Sequence, residues 1–265
     1  MGFFNTLSQS WKEYKLNFKT ILGIMFLFYA IPFIIGLFVN SAILQSAIAL
    51  NSPANQYFFL LALVGIIFYL INHLAYTGIL ASSFSKKQWT FAEVLKNGKL
   101  FYFKTLGLFI LLGIILGILA IIGIIPVFYG TIGSIATGGM DNAPFLKGLL
   151  ISILLIIPFI YLFTKWLFAP YALIAEKTGI FASIKRSNQI VRGKWWKTLG
   201  YIILLLILTV IVTIILSLPF IIIKPLLVSP GVLAIIKTLT DLILTLLITP
   251  ITLIFFKNMY LNFKK

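Results

Sequence analysis

The sequence predicts an all-α integral membrane protein with six transmembrane helices, and three observations support this class. Hydrophobic residues make up 61% of the 265 residues and charged residues only 10%, which is more apolar surface than a soluble domain can bury. Several uninterrupted apolar runs reach the roughly 20 residues that a helix needs to cross the hydrocarbon core. These runs lack the alternation of apolar and polar residues that the strands of a transmembrane barrel require.

Basic residues outnumber acidic residues, with 21 Lys+Arg against 5 Asp+Glu and a net charge of +16. In a soluble chain this excess would indicate nucleic-acid binding. Here the positive-inside rule and the attraction to anionic lipid headgroups explain it, so membrane lipids are the expected partners and nucleic acid is not. The chain has no cysteine, which excludes disulfide and thiol chemistry. The polar, aromatic start of the chain does not resemble a cleavable signal peptide.

A short basic and aromatic segment occurs three times, and each copy ends in Lys-Thr before a long apolar run: Lys19-Thr20, Lys104-Thr105 and Lys197-Thr198. Internal similarity of this kind predicts repeated structural units. We expect a single membrane domain over residues 1–265, built of three pseudo-repeats at about 1–85, 86–176 and 177–265, with no soluble domain. Each pseudo-repeat would be an interfacial amphipathic helix followed by a transmembrane hairpin.

The first pseudo-repeat is predicted to begin with a surface helix over residues 3–18. Its apolar residues recur at helical spacing on one face: Phe3, Phe4, Leu7, Trp11, Tyr14 and Phe18. The first span is expected over about 20–39, with a kink at Pro32. A short far-side helix over 42–50 and a turn at Asn51-Ser52-Pro53 would lead to the second span, over about 57–80.

The second pseudo-repeat is predicted to begin at Thr90 and Glu93, which have the spacing of a capping box. In its surface helix, Phe91, Val94 and Leu95 would face the lipid. The third span is expected over about 104–125, ending at Pro126, because proline interrupts the hydrogen bonds of a helix. A glycine-rich far-side loop over 127–147 would lead to the fourth span, over about 148–168.

The third pseudo-repeat is predicted to begin with a surface helix over about 180–192, with Ile180, Phe181, Ile184 and Val191 on one side. The fifth and sixth spans are expected over about 198–223 and 238–256, and the tail 257–265 would return to the basic side. Only three basic residues flank the far-side loops: Lys147, Lys224 and Lys237. The other 18 lie on the N-terminal side. The positive-inside rule therefore predicts cytoplasmic N- and C-termini.

Asn72-His73 is the most polar point within a predicted span. An ionisable residue inside the membrane is a candidate for proton or substrate passage. The alternative is a neutral His73 and an Asn72 that form hydrogen bonds to neighbouring helices. No second ionisable group lies at a similar depth in another span, which favours the alternative.

Two carboxylates are further candidates. Asp241 lies in the first turn of the sixth span, four residues after Lys237, and either contacts a cation from the far side or pairs with Lys237 at the membrane interface. Glu176 lies in the connector before the third surface helix and either caps that helix or pairs with a neighbouring basic residue. Neither carboxylate has the partner that acid-base catalysis normally needs.

Five basic residues of the third surface region are candidates for binding a lipid headgroup or a protein partner: Lys185, Arg186, Arg192, Lys194 and Lys197. The alternative is that they only orient and anchor the protein, and the pattern does not separate the two. Catalytic motifs, metal-ligand spacings and phosphate-binding loops are absent from the sequence. We therefore expect no enzyme activity, no catalytic residue, no metal and no cofactor.

The segment from Ala169-Pro170 through Glu176 and Gly179 to Ser187 resembles a broad group of prokaryotic membrane proteins. The group includes the membrane domain attached to some glycerophosphodiester phosphodiesterases and the YciC-like uncharacterised inner-membrane family. The resemblance is sharp over about 30 residues of this chain, and beyond them it depends on the six-span layout. It implies a multi-pass protein of the prokaryotic plasma membrane, and it transfers no catalytic residue, because the phosphodiesterase activity belongs to a separate soluble domain.

Two functions remain open at this point. The first is a non-enzymatic accessory or scaffold protein that binds lipid headgroups or a protein partner through its basic surface helices, and an oligomer is a further alternative. The second is a small transporter or lipid-handling protein with a cavity between the repeats, because repeated units with interrupted spans are typical of transporters. A deep polar cavity at Asn72-His73 would favour the second function, and a tightly packed interior would favour the first.

Overall fold

A computed structural model describes residues 2–35, 54–85, 88–136, 143–223 and 230–264. Helices fill almost all of these ranges, and no strand occurs within them. The helices are α1 (Phe3–Leu16), α2 (Phe18–Met25), α3 (Ala54–Ser82), α4 (Phe91–Ala136), α5 (Ala143–Trp166), α6 (Ala169–Ala175), α7 (Ile180–Val191), α8 (Trp195–Ile223) and α9 (Pro230–Lys264). A π-helical segment, Phe26–Ala30, extends α2 toward residue 35.

Six helices in the described ranges are long and apolar enough to cross a membrane: Phe18–Ile35, Ala62–Ser82, Phe91–Ile135, Ala143–Ala175, Trp195–Leu218 and Leu239–Lys264. This confirms the predicted class, a helical multi-pass membrane protein. The division into three pseudo-repeats stays a prediction. The predicted far-side helix over 42–50, the turn after it, Lys224 and the side chain of Lys237 lie outside the described residues.

The predicted end of the third span at Pro126 is wrong, because α4 continues through this proline to Ala136. Proline is tolerated within a transmembrane helix where neighbouring groups satisfy the backbone that it disturbs. Here the N–H of Val127 donates a hydrogen bond to Ser152 Oγ of α5, at 3.2 Å. Gly148 allows this approach, since a Cβ there would overlap the carbonyl oxygen of Pro126.

Two further predicted boundaries are absent from the structure. The second surface helix and the third span form one continuous helix, α4, of 46 residues. The predicted tail 257–265 is also helical, because α9 continues to Lys264. In both cases a basic or polar segment next to an apolar run is part of the same helix. Residue types other than glycine and proline cost little free energy in a helix.

The chain divides into two compact units. Unit 1 consists of Met1–Phe103 and Gly200–Lys265, and unit 2 consists of Lys104–Leu199. The core of unit 1 is a cluster of buried apolar side chains that come from α1, α2 and its π-helical extension, α3, the start of α4 and α9. Its most buried members include Ile24, Ile79, Val94 and Ile254.

Glycines allow α3 and α4 to pack closely in unit 1. A Cβ added to Gly78 would lie 2.5 Å from the carbonyl oxygen of Val94, and one added to Gly98 would lie 2.9 Å from that of Leu74. Small residues permit such close approach of helices in membranes. Val94 is consequently buried in the core, so the prediction that it faces lipid is wrong.

Candidate functional site

Helix α1 packs against α9 through a face that combines two residues of the predicted apolar face, Phe3 and Tyr14, with hydroxyl residues that the apolar pattern did not include. Its buried side chains are Phe3, Thr6, Ser10 and Tyr14, whereas Phe4 and Trp11 of the predicted apolar face are exposed. Small hydroxyl side chains therefore occupy the centre of the contact, where they form hydrogen bonds with α9. Burial raises the pKa of the Tyr14 phenol above its ordinary value, because the charged form loses hydration.

A buried ion pair lies at the centre of the contact between α1 and α9. Lys257 Nζ is 2.6 Å from Glu13 Oε2, and the two side chains are only 6% and 16% exposed. The ammonium also donates to Asn258 Oδ1 at 3.0 Å. Asn258 Nδ2 in turn donates to Ser10 Oγ at 3.1 Å and to Glu13 Oε2 at 3.3 Å. A charged pair is stable in such surroundings only when further hydrogen bonds satisfy it.

The sequence interpretation missed this group of residues, which we call the α1–α9 polar cluster: Ser10, Glu13, Lys257 and Asn258. Two features of the sequence could have indicated this cluster. Thr6, Ser10 and Glu13 recur at spacings of four and three residues on α1, and an amide follows the lysine on α9. Polar positions at helical spacing form a continuous strip, but only the fold brings two such strips together.

The connection between α1 and α2 is held by the residues that precede α4. Asn17 Oδ1 accepts a hydrogen bond from the N–H of Trp89 at 2.8 Å, and Thr20 Oγ1 donates to the carbonyl of Trp89 at 2.8 Å. The predicted capping box at the start of α4 is confirmed. The N–H of Thr90 donates to Glu93 Oε2 at 3.0 Å, and the N–H of Glu93 donates to Thr90 Oγ1 at 3.3 Å.

In unit 2, the segment that carried the family resemblance forms a helical corner, α6–α7, after the fourth span. Pro170 lies in the first turn of α6, a position where its missing N–H costs no helical hydrogen bond. Ser187 of α7 holds the turn between α5 and α6: its Oγ donates to the carbonyl of Lys165 at 2.6 Å and accepts from the N–H of Phe168 at 3.1 Å. The short polar residues of this segment therefore fix the backbone.

Glu176 ends α6 and forms an ion pair with Arg186 of α7, in which Oε1 lies 3.0 Å from Nε. The Arg186 side chain is 35% exposed and that of Glu176 is 20% exposed. Arg186 also donates to Gln189 Oε1 at 3.3 Å. Arg186, one of the five basic candidates, thus stabilises the corner itself.

Of the other basic candidates, Arg192, Lys194 and Lys197 lie at or next to the turn between α7 and α8, and Lys185 lies on α7. Gly193 makes this turn with a φ of +74°, which glycine adopts without steric cost. Lys185, Arg192 and Lys197 are exposed, and Lys194 is half-buried. Two large aromatic side chains of the same region are also exposed, Phe181 by 77% and Trp196 by 80%. The region therefore combines accessible positive charge with accessible aromatic rings, and we call it the α7–α8 basic patch.

Asn72 and His73 lie in α3 within an aromatic environment of unit 1. His73 is buried; its ring stacks on those of Tyr69 and Tyr76 and meets Tyr102 edge-on, with ring centroids 5.4–6.3 Å apart. His73 Nε2 is 3.4 Å from Thr77 Oγ1. Asn72 Oδ1 is buried without a hydrogen-bond partner among the described residues.

Asp241 is exposed near the start of the sixth membrane-length helix. Its carbonyl oxygen accepts a hydrogen bond from Thr245 Oγ1 at 2.8 Å. The predicted pairing of its carboxylate with Lys237 involves a side chain outside the described residues. In the parts of the chain that the structure describes, no group of three or more His, Cys, Asp or Glu side chains could hold a metal ion.

A comparison with protein families now adds to this geometry. Residues 90–263 match DUF7847, a domain of unknown function, and the chain belongs to this family. The match runs from the capping box at the start of α4 almost to the end of α9 and includes the α6–α7 corner. No curated protein and no solved structure matches the chain significantly. The broad class is thus a helical, multi-pass membrane protein of a family without an assigned function.

Proposed function

We propose that this protein is a non-enzymatic accessory protein of the prokaryotic plasma membrane that binds anionic lipid headgroups through the α7–α8 basic patch. One observation carries the proposal: within residues 181–197, Phe181 is 77% exposed and Trp196 is 80% exposed, and the basic residues Lys185, Arg192 and Lys197 are exposed as well. Aromatic side chains that are left uncovered at the end of membrane-length helices are typical of the headgroup region. Basic side chains there attract anionic lipids.

The proposal includes a membrane orientation, with the N- and C-termini and the α7–α8 basic patch in the cytoplasm. Its support is the sequence, in which most basic residues flank the ends of the apolar helices that the predicted topology assigns to the N-terminal side. The resemblance of the α6–α7 corner to the membrane domain of glycerophosphodiester phosphodiesterases and to YciC-like proteins agrees with a prokaryotic plasma membrane. In that setting the protein would present its basic side to anionic lipids or to a soluble partner.

A transporter or lipid-handling protein is the second candidate, and the surroundings of Asn72 and His73 bear on it. The rings of three tyrosines pack against the buried His73. Neither Asn72 nor His73 lines either of two cavities in the described part of the chain, although Tyr102 lines one of them. A packed histidine of this kind favours a structural role over proton passage. The unpaired Oδ1 of Asn72 keeps a test of transport with Asn72→Ala and His73→Ala worthwhile.

Native mass spectrometry of the protein in mild detergent tests the proposal. Phosphatidylglycerol and phosphatidylcholine serve as the anionic and zwitterionic probes. Each basic residue near an anionic surface contributes about 1 kcal/mol, so replacing Lys185, Arg192 and Lys197 together by Ala should weaken phosphatidylglycerol binding at least tenfold. Arg186 is kept, because its loss would also disrupt the pair with Glu176.

The matched control replaces three exposed lysines elsewhere on the chain, Lys19, Lys96 and Lys104, by Ala. This variant loses the same charge, so it should keep most of its phosphatidylglycerol binding if the patch is specific. Equal losses of phosphatidylglycerol binding in both variants would show that the lipid is attracted by the overall positive charge and not by the patch. A soluble protein that co-purifies with the parent and is lost from the patch variant would assign the patch to a protein partner instead.

A further inference from the structure

A cavity of about 620 Å³ lies in unit 1, beside the α1–α9 polar cluster. Helix α1 contributes Lys12, Glu13 and Leu16 to its wall, the segment after α3 contributes Ser83 to Ser85, and α9 contributes Lys257. The cavity is therefore lined by charged, hydroxyl and apolar side chains together. Its volume is within the range of small-molecule sites, about 300–1,000 Å³.

The polar groups at the wall have unused hydrogen-bonding capacity. A lysine ammonium has three N–H donors, and that of Lys257 uses two of them, toward Glu13 and Asn258. Glu13 accepts both of its hydrogen bonds at Oε2, and Oε1 has no partner in the described part of the chain. Lys12 is exposed at the rim. A ligand in the cavity would thus find a buried donor at Lys257 and an exposed ammonium at Lys12.

The charges of the lining favour an anion. Two ammonium groups, of Lys12 and Lys257, face one carboxylate, of Glu13, which leaves the lining with one excess positive charge. Ser83 and Ser85 add hydroxyl groups to the lining. Each hydroxyl already donates its hydrogen to a backbone carbonyl, so it adds little to the binding of an anion. Lysine is a common phosphate binder, so a phosphate with a single negative charge fits this balance.

The position of the cavity indicates that the anion belongs to a lipid. Ser82 is the last residue of the membrane-length helix Ala62–Ser82, and Ser83 to Ser85 line the cavity directly after it. The end of a membrane-spanning helix lies at the level of the lipid headgroups. Leu16, which is exposed on α1, and Phe84 add apolar surface to the same wall, and this surface suits the glycerol and upper acyl region of a phospholipid.

From these observations we infer that the cavity binds one anionic phospholipid, whose phosphate contacts Lys12 and the remaining N–H of Lys257. Its glycerol and upper acyl carbons lie against Leu16 and Phe84. The bound lipid would lie between α1, α3 and α9, and it would connect the N-terminal helix to both. This site belongs to unit 1 and does not depend on the α7–α8 basic patch.

The test counts phosphatidylglycerol molecules bound to delipidated protein by native mass spectrometry. It is performed in the variant in which Lys185, Arg192 and Lys197 are replaced by Ala, so that binding at the cavity is measured separately from binding at the α7–α8 basic patch. Lys12→Ala should lower the affinity of the bound lipid about fivefold, as expected for one basic residue at an anionic headgroup. Leu16→Glu, which adds a negative charge to the wall, should lower it at least tenfold. Lys15→Ala, one turn away on α1 and outside the cavity wall, should leave it unchanged.

Three outcomes would overturn the inference. An equal loss in Lys15→Ala would mean that the charge of α1, and not the cavity, attracts the lipid. Retention of the lipid in both Lys12→Ala and Leu16→Glu would mean that it binds elsewhere. Displacement by soluble glycerol 3-phosphate would assign the cavity to a water-soluble phosphate. Lys12 and Leu16 are exposed, so the Lys12→Ala and Leu16→Glu variants should unfold at the same temperature as the parent protein when no lipid is bound. This unfolding temperature separates loss of the site from loss of the fold.

Discussion

Two ion pairs among the residues that the structure describes consist of similar groups in different surroundings. In unit 1, the pair of Lys257 and Glu13 is buried and has Asn258 as a neighbouring amide. In unit 2, the pair of Arg186 and Glu176 is about a third exposed on its basic side and has Gln189 as its neighbouring amide, at an exposed position. Breaking a buried pair leaves an unpaired charge in a low-dielectric site, whereas water and salt replace an exposed partner. Burial should therefore decide how much each pair contributes to stability.

The largest difference is expected from removing the carboxylate of the buried pair. Glu13→Gln leaves the Lys257 ammonium buried with an amide in place of its counter-ion, so we expect the free energy of unfolding to fall by about 3 kcal/mol. Denaturant unfolding in detergent measures this change. The double variant Glu13→Gln, Lys257→Met removes the buried charge as well and should recover most of the loss. A loss below about 1 kcal/mol in the single variant would show that water reaches the pair.

The position of this buried pair explains how much of the structure the sequence could predict. Apolar runs and the capping box at Thr90 and Glu93 are local signals. The structure confirms that six helices are long enough to span a membrane, and it confirms the hydrogen bonds of the capping box. Lys257 and Glu13 are 244 residues apart, so no local pattern connects them. Glu176 and Arg186 are ten residues apart, and a pairing of Glu176 with a nearby basic residue was among the alternatives.

The errors in the predicted boundaries also have physical causes. The helix-breaking effect of Pro126 depends on whether a neighbouring helix can bond to the disturbed backbone, and Ser152 does so from α5. The sequence predicts α1 as an interfacial helix with one apolar face and gives no indication that Ser10 is buried, because serine side chains are usually exposed. In the structure Ser10 is buried since Asn258 forms a hydrogen bond with it. The error at Pro126 and the unpredicted burial of Ser10 both arise from partners that are distant in sequence.

The amide of the α1–α9 polar cluster should have the next largest effect. Asn258→Ala removes the acceptor of one Lys257 hydrogen bond and the donor to Ser10 and Glu13, and it leaves these buried groups partly unsatisfied. We expect a loss of about 1–3 kcal/mol in the free energy of unfolding. The matched control is Asn262→Ala, one turn further along α9, whose amide forms a longer hydrogen bond to Thr6, at 3.4 Å. A greater loss in the control would contradict the central role of Asn258.

The smallest effect is expected from the pair in unit 2. Glu176→Gln removes the partner of Arg186, but the guanidinium is 35% exposed and water can replace the lost carboxylate, so we expect a loss of at most about 1 kcal/mol. The difference between this variant and the parent should disappear in 1 M salt, where charges are screened over about 3 Å. Gln189→Ala, which removes only the exposed amide partner of Arg186, should change stability less than Glu176→Gln. If Glu176→Gln instead loses as much as Glu13→Gln, the α6–α7 corner is shielded from water in the membrane, and burial would then fail to distinguish the two pairs.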